Sequence, residues 1–488
     1  MYQPSEKEFN SLTKNNYGVQ LYKEIPVSSE TPVSAYLKLG GKYPSCLLES
    51  VEGEEKLARY SFLILSPDII FQSKNNSVTI QNKKKKKTII TDNPLFCLKS
   101  LLSRNKFIHN KILPRLSGGA IGYIGYDYIR NIEKIPDRKK TGLNLPELYF
   151  IFPKVIIVFD HLKQKIKIIR IVKPSEKISY ADVCKEIEKV IEKLANPILI
   201  KTARAETGFV KSNTKKEKFL KAVKKTKKYV KDGDIIQAVL SQRLETTFVG
   251  EPFEIYRVLR ILNPSPYMYY FNLDNVRIIG SSPEILVRLE NGIANVRPIA
   301  GTRPRGKDES EDNKLQNELL ADEKEKAEHL MLLDLGRNDL GRVCDFNSIK
   351  VNKFMSIEKY SHVMHIVSDV VGKLKPESDA FELLKATFPA GTVTGAPKIR
   401  AMEIIEELEP TKRGLYAGAV GYFDYSGNMD FAINIRTIIM KGKKAYIQAG
   451  AGIVADSVPE KEYEETMNKA RGMLKAIEMA ANKVVSGW

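Results

Sequence analysis

Cysteine is scarce in these 488 residues. There are four, Cys46, Cys97, Cys184 and Cys344, far apart and without a CxxC pair. A disulfide framework is therefore not expected, and reduced thiols point to a cytoplasmic protein. No run of about 18 apolar residues exists, so no membrane-spanning helix is expected. Residues 1–17 are polar and lack the apolar stretch of a signal peptide. There is no serine nucleophile elbow and no Cys–His pair in a catalytic context. Residues 391–398 lack the Walker pattern, because Lys398 follows Pro397 rather than Gly and no Ser or Thr comes next. Gly450-Ala451-Gly452-Ile453-Val454-Ala455 follows a strand and imitates a dinucleotide fingerprint, but the second strand with a ribose-binding acid is missing, which leaves a tight backbone turn able to meet a small carboxylate.

What is present is an ordinary globular composition, 43% hydrophobic and 28% charged. The length suits about three domains of ordinary size. The net charge of +19 suggests an anionic partner, whether nucleic acid, a membrane surface or a small acid. The lysines are dispersed along the chain. The run at 83–87 lies between Val78-Thr79-Ile80 and Thr88-Ile89-Ile90, which reads as a hairpin with a solvated tip. No aromatics interleave there to stack bases, so no nucleic-acid or membrane partner is expected.

Residues from about 18 to 170 alternate β-like runs with turns, as in Ser45-Cys46-Leu47-Leu48-Glu49-Ser50 and Leu148-Tyr149-Phe150-Ile151-Phe152. A helix follows over 180–194, and a basic polar run through 211–216 reads as a boundary. Two domains are expected, 18–200 and 212–482. The second opens with a helix over 216–231, closed by Gly233. Strands are expected over 235–240, 267–273, 276–279, 285–289, 417–423, 431–440 and 444–449, and a last helix over 461–481. Without regular βαβ alternation the fold class is α+β, with large antiparallel sheets packed as a sandwich and helices outside. Gly118-Gly119-Ala120-Ile121-Gly122-Tyr123 is echoed by Gly418-Ala419-Val420-Gly421-Tyr422, which reads as two similar strands rather than a duplication.

Residues 324–339 form a strong helix, rich in Ala, Leu, Glu and Lys. Ala327, Leu330, Met331 and Leu335 recur at helical spacing. Glu325, Glu328, His329 and Leu332 share a face on which no Lys or Arg relieves the acids. The last helix repeats the theme with Glu462, Glu465 and Lys469. Two Glu-x-x-Glu faces brought together would make a carboxylate box, and oxygen ligands without His at ligand spacing suit Mg²⁺. Two solvated acidic faces are the alternative. Residues 391–398 feed a helix running to Glu409, with Pro397 at its first position, and could either present N–H groups to an anion or simply cap the helix. Pro298-Ile299-Ala300-Gly301-Thr302-Arg303 opens a rigid cationic turn. The residues alone indicate a Mg²⁺-dependent α+β enzyme acting on a small carboxylate.

Taken together and in order, these motifs resemble the chorismate-utilising enzymes, over nearly the whole chain and most densely from Gln237 onward. Within that family the resemblance is to the anthranilate-forming branch, at the first step of tryptophan biosynthesis. It implies that Glu328 and Glu465 bind Mg²⁺, with Glu325 and Glu462 behind them, and that the metal holds the ring carboxylate of chorismate. It implies that Tyr416, Arg436, Gly450, Ala451 and Gly452 hold the enolpyruvyl carboxylate. Arg436 suits that as a bidentate fork. Gly301, Thr302, Thr392, His365 and Lys469 match other pocket positions.

Relatives that add water carry a Lys base where this chain has Gln237, and relatives that make the 4-amino product carry a nucleophilic Lys where it has Ala300. Gln237 and Ala300 together imply direct attack of ammonia at C2, with Glu284 as general acid for the departing C4 hydroxyl. Loss of the C2 proton near His365 then releases pyruvate. The aminodeoxychorismate and isochorismate branches are the alternatives within the family, and a basic nucleic-acid-binding protein is the alternative outside it. No glutaminase signature is present, so a separate glutamine amidotransferase subunit is implied, in a heterotetramer with two copies of each. The family's tryptophan feedback site has counterparts in Leu48, Ser50, Pro266, Tyr267, Met268, Val420 and Tyr422, although Tyr269-Tyr270 replaces the family's usual Phe residues.

Overall fold

The computed structural model describes residues 1–41, 44–51, 59–82, 85–108, 110, 112–138, 141–198, 205–360 and 363–482. The elements that build the site are, in chain order, β1 (Ser45–Glu49), β2 (Tyr60–Lys74), β3 (Ala120–Ile124), β4 (Leu148–Asp160), α1 (Tyr180–Ala195), α2 (Lys216–Lys231), β5 (Gln237–Val249), β6 (Tyr267–Leu273), β7 (Val276–Ser282), β8 (Ile285–Glu290), β9 (Ile299–Pro304), α3 (Glu323–Gly341), β10 (Val363–Lys373), α4 (Lys398–Leu408), β11 (Ala419–Phe423), β12 (Met429–Ile433), β13 (Thr437–Lys441), β14 (Lys444–Ile453) and α5 (Pro459–Ala481).

All pairings between these strands are antiparallel. The side-chain period of two decides the layering. Along β6, Met268 and Tyr270 enter a core shared with helix residues Phe253, Tyr256 and Ile477. Tyr269 and Phe271 enter a second core made almost wholly of strand residues, with Phe62, Ile121 and Tyr123. One face of the strand thus meets another sheet layer and the other meets helices, which is the expected sandwich with helices outside. The N-terminal strands join directly to the C-terminal ones, since β1 pairs with β6 and β3 pairs with β11.

The two glycine-rich echoes turn out to be partners. Gly122 of β3 lies opposite Gly421 of β11. A Cβ on Gly122 would meet the Tyr149 carbonyl, and one on Gly421 the Asp430 carbonyl. Similar sequences therefore reflect the same tight spacing on facing strands. The hairpin around the lysine run is present, Ser77–Asn82 against Lys86–Ile90, while Lys83 and Lys84 at its tip lie outside the described residues. Gly233 closes α2 at φ +82 as expected.

Four expectations need correction. The strand expected over 431–440 is broken into β12 and β13, because Arg436 adopts φ +51 between them. Gly450-Ala451-Gly452 is not a turn after a strand but part of β14, laddered against Val239, Leu240 and Ser241 of β5. Pro397 is the cap before α4 rather than its first residue. The apolar spacing on α3 does not mark its buried face: Leu330 is 45% exposed, Ala327 is exposed and Met331 and Leu335 are half-buried, whereas His329, Leu332, Leu333 and Leu340 are buried. Ala and Leu in a helix report propensity as much as burial, so the acid-bearing face is the one turned inward.

Candidate active site

The inward face of α3 carries Glu325 and Glu328, and α5 carries Glu462, Glu465 and Lys469. Their charges act on one another across the gap. Burial and the adjacent Glu325 charge raise the Glu328 pKa, opposed by the Gln237 amide and by Lys469 of α5. Burial also raises that of Glu462; Ser457 and Lys324 of α3 oppose it, and the Glu465 charge adds to it. Such carboxylates are relieved by a nearby cation. Glu325 already has one that the sequence did not suggest, Arg303 of β9 at 3.4 Å, which also holds Asp322 at 2.9 Å. Lys469 takes Glu465 at 2.6 Å and the Gly450 carbonyl at 3.1 Å. Among the described residues no three acidic, His or Cys groups already stand at metal-holding distance. The donor set, all hard oxygen with excess negative charge, fits Mg²⁺.

His329, on the same face, is not part of this cluster. It is wholly buried, its Nε2 is 2.6 Å from the Ser368 hydroxyl, and burial holds its pKa down at about 4. It is a neutral packing group beside a charged one.

Glu284 stands in the Ser282-Pro283-Glu284 link between β7 and β8. Its carbonyl accepts from Ile433 N at 3.0 Å, and the Ser282 hydroxyl donates to the Ile433 carbonyl at 2.7 Å, so the link is fixed to the end of β12. The residue is 9% exposed, and burial pushes its carboxyl up to about 7, against the opposing pull of Thr392 and Lys469. A carboxyl half-protonated at neutrality can donate a proton, as the sequence reading required. Thr392 comes from the turn Gly391–Val393, which leads into α4. Lys398 in that segment does not await an anion, because it binds Asp339 at 2.9 Å.

Gly301 sits at a bulge between Ala300 and Thr302, with φ +66, and a Cβ there would lie 3.2 Å from a Glu325 carboxylate oxygen. Opposite the bulge, His365 Nδ1 is 3.1 Å from the Gly301 carbonyl and 3.0 Å from the Thr302 hydroxyl. That occupies Nδ1 as a donor and leaves Nε2 as the basic nitrogen. Burial lowers the His365 pKa; the Gly301 carbonyl opposes this and the Arg436 charge adds to it.

Arg436 is half-buried, and its Nη1 donates to the Lys469 carbonyl at 3.1 Å. Burial depresses its pKa, opposed by Tyr416 and Glu465. Among the described residues no carboxylate pairs directly with it, so a desolvated cation is left for an anionic ligand. Tyr416 is buried and pushed up to about 12, so it stays a neutral donor. The glycines of β14 make room here. A Cβ on Gly450 would lie 2.7 Å from the Tyr416 hydroxyl, and one on Gly452 2.2 Å from the Gln237 amide nitrogen. Ala451 points the other way, into a small core with Phe219 and Leu240. Only its backbone can serve the site.

A paired set of carboxylates, a half-buried Arg without a carboxylate partner among the described residues and a near-neutral acid suit a small polycarboxylate, and comparison with known proteins agrees. Residues 27–475 match the family model described as chorismate binding enzyme. The chain belongs to the chorismate-binding enzymes. Anthranilate synthase component 1 of Aquifex aeolicus is 48% identical over 98% of both chains, and that of Acetivibrio thermocellus is 47% identical over 98% of this chain and 99% of its own. The crystal structure of anthranilate synthase component I from Streptococcus pneumoniae has TM-score 0.78 at 40% identity, covering 92% of this chain and 98% of that one. The menaquinone-specific isochorismate synthase of Escherichia coli shares the fold, with TM-score 0.72 at 18% identity.

The two positions expected to separate the branches of this family can be placed in the structure. Gln237 is 5% exposed beside Glu328, and Ala300 is buried with only a methyl group.

A separate cavity is lined by all seven residues expected to hold tryptophan, namely Leu48, Ser50, Pro266, Tyr267, Met268, Val420 and Tyr422. It also contains charges that the sequence reading missed. Asp430 takes Arg288 at 3.0 Å and Arg115 at 3.6 Å, and accepts from the Tyr267 hydroxyl at 2.9 Å. Among the described residues, the Ser50 hydroxyl, Arg115 Nε and Tyr422 hydroxyl are buried and meet no hydrogen-bond partner. The departure at Tyr269 is accommodated, because its hydroxyl is bound to Thr437 at 2.7 Å. Arg115 and Asp430 are far apart in sequence and lie in no local pattern; Arg115 precedes β3, which pairs with β11, and β11 pairs in turn with β12, which carries Asp430.

Proposed function

We propose that the chain is the synthase component of an anthranilate synthase, converting chorismate and ammonia to anthranilate and pyruvate. The observation that carries this reading is the neutral amide of Gln237 beside Glu328, where a water-adding relative would place a base. It is supported by the full-length similarity to anthranilate synthase component 1.

The residues divide the work. Arg436 and Tyr416 bind the enolpyruvyl carboxylate, the charge-assisted fork fixing its orientation. Glu328 and Glu465, with Glu325 and Glu462 around them, would hold Mg²⁺, whose chemistry is to neutralise and anchor the ring carboxylate. Ammonia attacks C2, the C4–O bond breaks, and Glu284 gives its proton to the departing hydroxyl, which leaves as water. His365 Nε2 then takes the C2 proton as the C3–O bond breaks and the enolpyruvyl group leaves as pyruvate. Ammonia is already nucleophilic, so no base is needed at Gln237.

Ammonia is supplied by a separate glutaminase component, in a complex with two copies of each chain. Cys46, Cys184 and Cys344 do not offer the activated thiol a glutaminase needs, since burial raises the pKa of each. No described helix is long and apolar enough to cross a membrane, and the cytoplasm suits this chemistry. The test is direct: chorismate, Mg²⁺ and ammonium, with anthranilate fluorescence followed over time. Chorismate consumption without fluorescence would sink the reading, and isochorismate or the 4-amino isomer in its place would assign the alternative branch.

Gln237→Lys is expected to lower amination about tenfold or more and to admit water, giving isochorismate in the product mixture. A general base contributes roughly 10²–10⁴-fold to water attack, so even partial access is measurable. Unchanged amination with no new product would remove Gln237 from the selectivity argument.

The second cavity is a feedback site for tryptophan. Its apolar wall suits an indole, and its unpartnered Ser50 and Arg115 donors suit the amino-acid carboxylate. Arg115→Gln is expected to weaken L-tryptophan inhibition roughly tenfold to a hundredfold, the worth of one charge-assisted hydrogen bond, with kcat unchanged. Retained inhibition in the variant would clear Arg115 of that role.

A further inference from the structure

We propose that Arg413 is a positioning residue for the reaction, one guanidinium holding three walls of the active site in register. This rests on the proposed function only for the identity of the reaction.

Arg413 is 2% exposed and lies outside every motif that marked the site in the sequence. Its Nε donates to Glu409 Oε2 at 3.0 Å and its Nη2 to Glu409 Oε1 at 2.6 Å, which is a fork-to-fork pair. The remaining donors leave the pair. Nη2 also donates to the Val239 carbonyl at 2.7 Å, and Nη1 to the Val393 carbonyl at 2.7 Å. The flat faces of the group meet two rings, Tyr126 at 4.8 Å and Tyr416 at 5.4 Å. Three of these contacts end next to chemistry. Val239 is two residues along β5 from Gln237. Val393 adjoins Thr392, which faces Glu284. Tyr416 is itself at the carboxylate end of the site.

Glu409 is fixed in turn. Its Oε1 accepts from Ser241 N at 2.8 Å and from the Ser241 hydroxyl at 2.7 Å. That hydroxyl also accepts from Gln448 Nε2 at 2.8 Å, two residues before Gly450. The network thus reaches β5, β14, the turn before α4 and the Tyr416 segment from one point. A buried ion pair is weak evidence for stability, because apolar replacements often stabilise as well. What an apolar group cannot replace is a planar fork with donors in several fixed directions, and neither can a Lys.

Arg413→Lys keeps the charge and loses the fork. Its chorismate KM, its kcat and its product ratio should be measured with the melting temperature. The expected result is kcat lower by about a hundredfold, the scale of a misplacement of roughly 1 Å. KM should rise several-fold, and less than one anthranilate should form per chorismate consumed, as the aminated intermediate escapes. Glu409→Gln, which keeps the acceptor oxygen, should show a smaller version of the same changes. A purely structural role would reduce the amount of folded enzyme, scaling kcat and leaving KM and product ratio as in the wild type. That outcome in folded Arg413→Lys, or in Glu409→Gln if the Lys variant does not fold, overturns the proposal. If the wild type makes no anthranilate, the function reading fails separately, and the chorismate dissociation constants of the same variants decide the positioning role. Unchanged constants then overturn it.

Discussion

Glu284→Gln is expected to lose activity by about 10²–10⁴-fold, the usual range for a general acid, while melting at a higher temperature than the wild type above pH 7. The two effects share a cause. Burial raises the Glu284 pKa from 4.5 to about 7. Below pH 4.5 the folded and unfolded chains both hold the proton, and the group adds no cost. As the pH rises from 4.5 towards 7, the unfolded chain releases its proton while the folded chain keeps it, so stability falls. Above pH 7 the full penalty is reached, about 3 kcal/mol as an upper figure at 1.36 kcal/mol per unit. Glutamine carries no charge to bury and escapes the penalty. The wild-type rate, corrected for the concentration of free ammonia, should likewise fall above about pH 7 as the acid deprotonates. Uncorrected rates rise at first, because ammonia is populated at high pH. An E284Q enzyme that is inactive yet no more stable at pH 8 than at pH 5, relative to wild type, would remove the buried-acid explanation.

Arg436→Lys is the second large effect. A charge-assisted bidentate pair lost in a desolvated site costs about 2–3 kcal/mol, roughly a hundredfold in kcat/KM. The loss should fall mainly on chorismate binding, because the carboxylate proposed as the Arg436 ligand does not react. The residue also holds φ +51 at the break between β12 and β13, a conformation that costs an L-residue about 1 kcal/mol. The Arg436 carbonyl accepts from Ser281 N at 3.1 Å, in β7, which ends two residues before Glu284. The strained backbone therefore links the carboxylate fork to the general acid. Titration of chorismate against R436K by steady-state kinetics checks this. A variant with wild-type KM would place the carboxylate elsewhere.

Much of the site was legible in the chain. The acids Glu325, Glu328, Glu462 and Glu465 stand out by their own spacing, whereas Glu284, His365 and Arg436 are legible only through the resemblance to the chorismate-utilising enzymes. The spacing of Glu325, Glu328, Glu462 and Glu465 is a helical property, set within one or two turns. The α+β class and most strands followed from runs of β-branched and aromatic residues. Local pattern misled in a few places. Ala327 and Leu330 looked like a core stripe, because a good helix former on a wet face has the composition of a buried one. Gly450 and Gly452 looked like a turn, although their purpose is to clear space for the Tyr416 hydroxyl and the Gln237 amide within a continuous strand.

The sequence by itself determined which side chains could do chemistry, because reactivity is carried by residue type and short spacing. Only the tertiary structure decided which of them are desolvated and what stands against them. The raised Glu284 acid, the Arg303 cation that relieves Glu325, the Arg115–Asp430–Arg288 charges in the second cavity and the Arg413 fork all depend on groups far apart in the chain. Burial and cross-strand approach are properties of the packed sheets, and no local pattern encodes them.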